Sequence, residues 1–271
     1  MANVAFEEFP SVFALYDAIN KRNDNGHADH SATKERAWSG FPTWELAKDA
    51  YLNGIQSVCD KLNEATRAYR AKCNAESIRK QNELYYNGFA PNVARAIIGH
   101  PKAMMRRTKI NIPSKGINLI WCSNVACDVE AKDIENAGIC VFKAIYRLES
   151  LGYRVSLVNA CFSSESNGEK AVCVVRLKES GQHLDTLKLS FPLGSASMFR
   201  RFGFRWLETA PSITKSFHST YGYPMSKKDI VNIVNQYGKH TDADAYAINV
   251  ADCQKVKYNT DELLKSLGII A

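Results

Sequence analysis

The sequence predicts an α/β fold: a mostly parallel sheet with one antiparallel strand, flanked by helices and preceded by a helical N-terminal segment. Apolar residues recur every three or four positions over residues 42–79, which indicates amphipathic helix. Short apolar runs over 117–122, 154–161 and 171–177 are typical of buried strands, and a long amphipathic pattern separates the first two. Of the 271 residues, 45% are hydrophobic and 23% charged, which excludes disordered, collagen-like and disulfide-rich miniproteins.

We expect two parts, a helical N-terminal segment over residues 1–110 and an α/β domain over residues 111–271. The segment starts with a helix over 11–20. A second helical stretch begins at Pro42, which suits a first helical turn because the N–H that proline lacks has no partner there. Gly54 is the residue at which this stretch can break.

The connections between the apolar runs predict how the strands pair. An amphipathic helix over 131–151, ended by Gly152, joins the first two runs, and such a crossover makes them parallel. The short turn over 163–168 joins the second run to the third, which makes that pair antiparallel. The remaining predicted elements are helices over 184–190, 195–207 and 226–236, a strand over 243–250 and a helix over 260–267.

This order of elements resembles the von Willebrand factor A-type domain over residues 112–271. Such domains hold a metal at the end of the first strand through the pattern Asp-x-Ser-x-Ser. The corresponding stretch here is Trp121-Cys122-Ser123-Asn124-Val125, in which Ser123 alone matches. Because the acidic residue that would hold a divalent cation is missing, we expect neither a metal nor any other cofactor.

Two further motifs resemble an uncharacterised bacteriophage protein family that joins a helical segment to an α/β domain. They are Trp38-Ser-Gly-Phe-Pro-Thr-Trp-Glu-Leu-Ala47, followed by Gly54, and Gly99-His-Pro-Lys-Ala-Met104. The resemblance implies a phage gene product in the host cytoplasm. It allows a role in which the protein binds single-stranded DNA and assists a phage RNA polymerase or replication protein.

The sequence also predicts a cytoplasmic protein without a membrane segment. Met1 to Pro10 lacks the basic start of a signal peptide, and no apolar run approaches the roughly 18 residues that span a bilayer. None of the eight cysteines forms a C-x-x-C motif, and several lie within apolar segments where a free thiol packs as a small hydrophobe. This pattern disfavours both disulfides and structural zinc.

Positive charge is concentrated in two stretches of the chain, which has a net charge of +7. Between Glu83 and Asp128 there is no acidic residue but six basic ones, and between Asp185 and Asp229 Glu208 is the only acid. Clustered cations bind nucleic-acid backbones by releasing counterions from the phosphates. In the first stretch we expect phosphate contacts from Arg106, Arg107 and Lys109.

The second stretch interleaves rings with arginines in Met198-Phe-Arg-Arg-Phe-Gly-Phe-Arg-Trp206. Single-stranded nucleic acid is held by such a combination, because bases stack on rings while cations meet phosphates. We expect phosphate contacts from Arg200, Arg201 and Arg205, and stacking on Phe204 and Trp206. The alternative is a helix that buries Met198, Phe199, Phe202 and Trp206 and leaves the arginines on its solvated side.

No complete catalytic motif is present, so the sequence predicts a non-enzymatic protein. Weak candidates are a metal pair at His27 and His30 beside Asp29, a Ser212–Lys215 pair, and Cys161 as a nucleophile with His183 or His218. The leading hypothesis is a single-stranded-DNA-binding protein. The alternative is a docking module that inhibits or recruits a host or defence protein, in which the acidic cluster Asp128, Glu130 and Asp133 meets a basic partner.

Overall fold

The structure is a computed structural model. It describes residues 4–25, 32–35, 37–76, 80–109, 115–126, 128–164, 168–213, 225–239 and 243–270, with the side chains of 70–82 and 107–109 excepted.

The structure confirms the predicted fold class, a mixed α/β fold with a mostly parallel sheet. The strands are β1 (Val4–Phe9), β2 (Lys80–Tyr85), β3 (Ala90–Pro91), β4 (Met104–Lys109), β5 (Gly116–Cys122), β6 (Arg154–Ser164), β7 (Lys170–Lys178) and β8 (Asp244–Ile248). Five of them form a large sheet in the order β1-β7-β6-β5-β8, and the other three form a small sheet in the order β2-β4-β3. In the large sheet β5 runs parallel to β6 and β8, β7 is antiparallel to β6, and β1 is parallel to β7.

Helices cover both faces of the large sheet. They are α1 (Val12–Lys21), α2 (Trp44–Asn53), α3 (Gln56–Glu76), α4 (Val93–Ile97), α5 (Ala131–Ser150), α6 (Thr186–Gly194), α7 (Phe204–Thr209), α8 (Lys227–Tyr237), α9 (Val250–Lys255) and α10 (Thr260–Ser266). A π-helical turn, Met198–Gly203, precedes α7. No helix in the described ranges combines the length and the apolar character that crossing a bilayer requires.

Alternation along the strands divides the core between the two faces. Leu119 and Trp121 on β5 point into a large cluster under α1, α2, α3, α5 and α6, whereas Ile120 and Cys122 point into a smaller cluster under α8. The crossover α5 buries one apolar stripe on the large cluster, and Gly152 follows it with a φ of +92°. A strand buried on both faces has a nearly continuous apolar sequence, and this makes β5 recognisable in the sequence despite the buried Asn118.

The first 110 residues contain strands as well as the predicted helices. The long helical stretch is split into α2 and α3 at Gly54, whose φ is +80°, as the sequence predicted. In addition, β1 adds an edge strand to the large sheet, and the core packing of α1, α2 and α3 is continuous with that of the α/β part. Residues 80–109 form the small sheet together with α4.

We call residues 80–109 the arm. Its strands pair with one another, and Phe89 and Asn92 donate backbone hydrogen bonds to the carbonyls of Met105 and Ala103 at 2.9 and 2.7 Å. Among the described elements, the arm packs mainly on itself and not on the large sheet. It therefore exposes several large apolar side chains: Tyr86, Phe89, Val93, Ile97 and Ile98.

Candidate nucleic-acid interface

Arg200 is buried and connects the π-helical turn to the residues around Trp38 and to the loop before α5. Its guanidinium donates to the carbonyl of Trp38, and to those of Ala126 and Val129 at 2.7 and 3.3 Å. It also lies over the Trp38 ring, 4.8 Å from the ring centroid. These partners belong to the short 3-10 helix Ala37–Ser39 and to the loop before α5, so Arg200 has a structural role and cannot reach a phosphate in this conformation.

Arg201 is more deeply buried, with no exposed surface. It donates to the carbonyls of Ala32, Phe41 and Pro42 at 2.7, 2.8 and 2.9 Å. Burial lowers the pKa of this guanidinium, although arginine keeps its charge under protein conditions. No carboxylate pairs with it among the described residues, so backbone carbonyls compensate its charge, and in doing so they fix the 32–42 segment to the core.

Arg205 and Trp206 are held by acidic groups of the protein itself. Arg205 pairs with Asp24 at 2.5 Å and with the buried Glu208 at 3.4 Å. The indole N–H of Trp206 donates to Glu7 at 2.9 Å, and the side chain has no exposed surface. Burial makes Trp206 unavailable to a stacking base, and Asp24 and Glu208 compensate the charge of Arg205.

The structure corrects the prediction for four residues of the second basic stretch. The predicted stacking and phosphate contacts require exposed side chains, but all four side chains are buried: Phe204, Trp206, Arg200 and Arg201. Phe204 packs against Phe199 at 5.0 Å between ring centroids. The physical reason is the π-helical turn, which lies so close to β6 that a Cβ on Gly203 would come within 3.2 Å of Cys161. All six residues of the turn are buried, so it has no solvated side.

In the arm, by contrast, cations and rings lie next to each other at the surface. The Arg106 guanidinium lies 4.1 Å from the centroid of Tyr85, and the Lys102 ammonium 5.5 Å from that of Tyr86. The two tyrosine rings are in edge-to-face contact at 5.4 Å. We call Tyr85, Tyr86, Lys102 and Arg106 the aromatic–basic cluster; its two rings contact each other, and each ring has a cation next to it.

Exposure and charge distinguish this cluster from the second basic stretch. Tyr86 is 61% exposed and the nearby Phe89 58%. The arm contains six Lys or Arg residues and one acid, Glu83, which pairs in register with Arg106. The arrangement can therefore offer ring faces and positive charge to the same ligand.

Arg107 and Lys109, the other two predicted phosphate contacts in this stretch, are on β4. Their backbones pair in register with Asn82 and Lys80, while their side chains are outside the described part of the chain. The structure thus brings Arg106, Arg107 and Lys109 together on one strand. Because Arg200 and Arg201 are buried, the two basic stretches do not offer a common groove to a polyanion.

The rings of the arm are the residues that sequence reasoning missed. Their signal is Leu84-Tyr-Tyr-Asn-Gly-Phe89, which lies at the start of the acid-free stretch. The segment has the composition of a hairpin, with ring-bearing residues before an Asn-Gly pair.

The loop after β5 is closed by hydrogen bonds within the protein. Ser123 lies 3.2 Å from the Cys161 sulfur, and Asn124 both donates to and accepts from the backbone of Phe162, at 2.5 and 2.9 Å. Within the described ranges, no three His, Cys, Asp or Glu side chains come together as metal ligands would.

Among the described residues, the weak catalytic candidates Cys161 and His183 are not brought together into a site. Burial raises the pKa of Cys161 to about 11, which keeps it a neutral thiol at physiological pH. His183 lies beyond the end of β7, at the edge of the sheet where β6 starts. His27, Asp29, His30, Lys215 and His218 lie outside the described residues.

The acidic cluster after β5 is partly engaged. Asp133 accepts a hydrogen bond from the Tyr258 hydroxyl at 2.7 Å, and burial together with this carboxylate raises the pKa of Tyr258 to about 12. Asp128 and Glu130 are exposed just before α5, where acidic side chains stabilise a helix N-terminus.

No curated protein and no solved structure is significantly similar to the chain. Over residues 2–271, however, the sequence matches the model of a family described as a domain of unknown function (DUF7192), and the chain belongs to that family.

Proposed function

We propose that this protein binds single-stranded nucleic acid, in the first place single-stranded DNA, through the arm. The observation that carries the proposal is the aromatic–basic cluster, in which the exposed Tyr86 ring lies between the Lys102 ammonium and the Tyr85 ring, and Arg106 lies over Tyr85. Unpaired bases stack on such rings at about 1–3 kcal/mol per base, and every base offers a suitable face.

The balance of charge in the arm supports the same ligand. With six cations and one acid over thirty residues, the arm attracts a phosphate backbone along its length. Unstacking a duplex costs energy that a single strand does not require, so exposed rings favour unpaired nucleic acid.

The test is a titration of fluorescently labelled oligo-thymidine, followed by anisotropy at low and moderate salt. Tyr86→Ala is expected to weaken binding roughly 5- to 150-fold, the equivalent of one lost stacked base, while Tyr86→Phe retains it. Phe13→Ala is the matched control, because Phe13 is also exposed but lies on α1, outside the arm. No binding by the wild-type protein at low salt, or equal loss in the Phe13 variant, refutes the proposal.

A matching duplex and an oligo-uridine strand complete the comparison. We expect the duplex to bind more weakly than the single strand, since its bases are not free to stack. Equal affinity for the duplex would mean that phosphate contacts alone account for binding, and it would contradict the role given to Tyr85 and Tyr86.

We also propose a biological role, which rests on the resemblance of the sequence to a bacteriophage protein family and to the von Willebrand factor A-type domain. The protein is a phage gene product with a von Willebrand A-like domain that acts in the host cytoplasm, where it assists a phage RNA polymerase or replication protein on single-stranded DNA. Addition of the purified protein to such a polymerase on a partly melted template should raise transcription, and the Tyr86→Ala variant should not.

A second candidate function, protein docking, is favoured by the apolar surface of α4. Val93, Ile97 and Ile98 are each at least 65% exposed, with Ile97 at 79%, and contiguous apolar patches of this kind mark contact surfaces. Because the surrounding arm is basic, the expected partner is a protein whose contact surface has an acidic rim, and recruiting or inhibiting such a protein is the function.

Partner capture from nuclease-treated host lysate separates the two candidates. If docking is the function, Ile97→Asp abolishes capture of an acidic partner and Tyr86→Ala does not. Capture that is unchanged by Ile97→Asp contradicts docking through α4.

A further inference from the structure

A cavity of about 720 Å³ opens at the edge of the large sheet where β6 begins and β7 ends. Three parts of the fold form its walls: one face of α3, one face of α5, and the turn after β7 with the first residues of β6. Its volume lies in the range of small-molecule sites in proteins. It lies at the opposite edge of the sheet from the loop after β5.

The helical walls owe their common faces to the helix period. Asn63, Thr66 and Arg67 of α3 are three and four residues apart, and so are Phe142, Tyr146 and Glu149 of α5. Residues at these spacings lie on one side of a helix, so each helix presents three side chains to the same space. In the third wall, Gly181 has a φ of +83° and allows the tight turn that leads to His183.

The charge of the cavity is positive. The arginines Arg67 and Arg154 line it and are exposed, and neither forms an ion pair with another described residue. His183 is a further exposed lining residue. Among the described residues of the lining Glu149 is the one acid, and Lys178 neutralises it at 2.6 Å. Lys178 is itself buried and donates to the carbonyl of Val155 at 2.8 Å, which fixes this ion pair in place.

The cavity also offers flat apolar surface and hydrogen-bonding groups. Phe142 is buried, whereas Tyr146 and Tyr153 are half-buried. Asn63 and Thr66 add polar atoms on the α3 side. A ligand that suits all these groups is anionic at one end and carries a planar ring at the other.

We propose that this cavity is a mononucleotide site, in which Arg67 and Arg154 bind the phosphate and the tyrosine side receives the base. Guanidinium groups suit phosphate because their N–H donors match its oxygens in pairs. The site is separate from the arm and does not depend on the function proposed for it. The same chemistry is available from a free nucleotide or from the terminal nucleotide of a strand, and the test distinguishes these sources.

The test is isothermal titration of the full chain with AMP, adenosine and inorganic phosphate at low salt. AMP should bind more tightly than either of its halves, and Arg67→Gln and Arg154→Gln should each weaken AMP binding roughly tenfold through one lost charge-assisted contact. Lys132→Gln is the matched control, because Lys132 is exposed on α5 but does not line the cavity. All three substitutions are at exposed positions, and thermal melts should show unchanged folding.

Two variants separate this site from the arm. Tyr86→Ala should bind AMP as the wild type does, and a 5′-phosphorylated strand should lose affinity on Arg154→Gln only if the cavity takes strand ends. No heat from AMP, equal binding of AMP and inorganic phosphate, or AMP binding that is insensitive to both arginine substitutions overturns the proposal.

Discussion

Replacing Arg201 tests whether this arginine of the second basic stretch stabilises the fold or binds nucleic acid. Arg201→Met keeps much of the side-chain volume but removes every donor, so the carbonyls of Ala32, Phe41 and Pro42 lose their partners. Three charge-assisted bonds shorter than 3.0 Å are broken, and each contributes about 1.5–3 kcal/mol. Removing the buried cation also relieves its desolvation, which offsets part of this loss, and we expect a net destabilisation of roughly 3–5 kcal/mol.

Urea unfolding measures the change in free energy, and thermal melting gives an independent value. For a domain of this size, each kcal/mol lowers the melting temperature by about 2–4 °C, so the expected drop is roughly 6–20 °C. Arg106→Gln is the matched comparison, because Arg106 is an exposed arm residue whose loss should change stability by at most about 0.5 kcal/mol.

Nucleic-acid binding supplies the opposite readout. Arg201→Met should bind oligo-thymidine as the wild type does at temperatures where it is folded, whereas Arg106→Gln should bind it more weakly. If Arg201→Met melts with the wild-type protein but loses affinity for the strand, the structural role assigned to this residue is refuted.

Three further outcomes follow from described contacts. Arg106→Gln should lower the slope of log affinity against log salt by about 0.7, the value for one phosphate contact on a single strand; an unchanged slope would exclude that contact. Gly138→Ala should destabilise the protein by about 1–3 kcal/mol in urea unfolding, because the new Cβ would lie 2.2 Å from the carbonyl oxygen of Leu193; a stabilised variant would mean that α5 and α6 can move apart. Since burial raises the pKa of Cys161 from 9.0 to about 11, the folded state holds this proton more tightly than the unfolded chain, and the contribution of Cys161 to stability should fall by roughly 2 kcal/mol between pH 9 and 11. Cys161→Ala should flatten that fall, and a profile of the same steepness would contradict the assignment.

The sequence was sufficient to predict a strand or helix wherever its own periodicity and the length of its connection to the next element determined the structure. The run 117–122 and the amphipathic stretch after it predicted β5, α5 and their parallel partner β6, because strands buried on both faces and helices with one apolar stripe are recognisable without tertiary information. The short turn before β7 likewise predicted the antiparallel pair.

The missed elements depend on partners far away in the chain. In β1 the consecutive acids Glu7 and Glu8 interrupt the apolar alternation, and they are accommodated because Arg22, Trp206 and Arg176 donate to them. Arg201 is buried for a similar reason, since its partners are carbonyls of a loop about 160 residues earlier. A strand or helix can be predicted from the residues within it, whereas the groups that compensate a buried charge come from distant parts of the chain and are known only from the tertiary structure.

The parallel pairing of β1 with β7 determines when the large sheet can be completed. Val4 lies opposite Lys170 and Phe9 opposite Val175. During synthesis β1 therefore leaves the ribosome long before β7, the strand with which it pairs. Pairing β1 with β7 closes a long loop, which is entropically costly and slow. A nascent or truncated chain that stops before residue 170 therefore presents β1 as an unpaired edge, open to association with other chains.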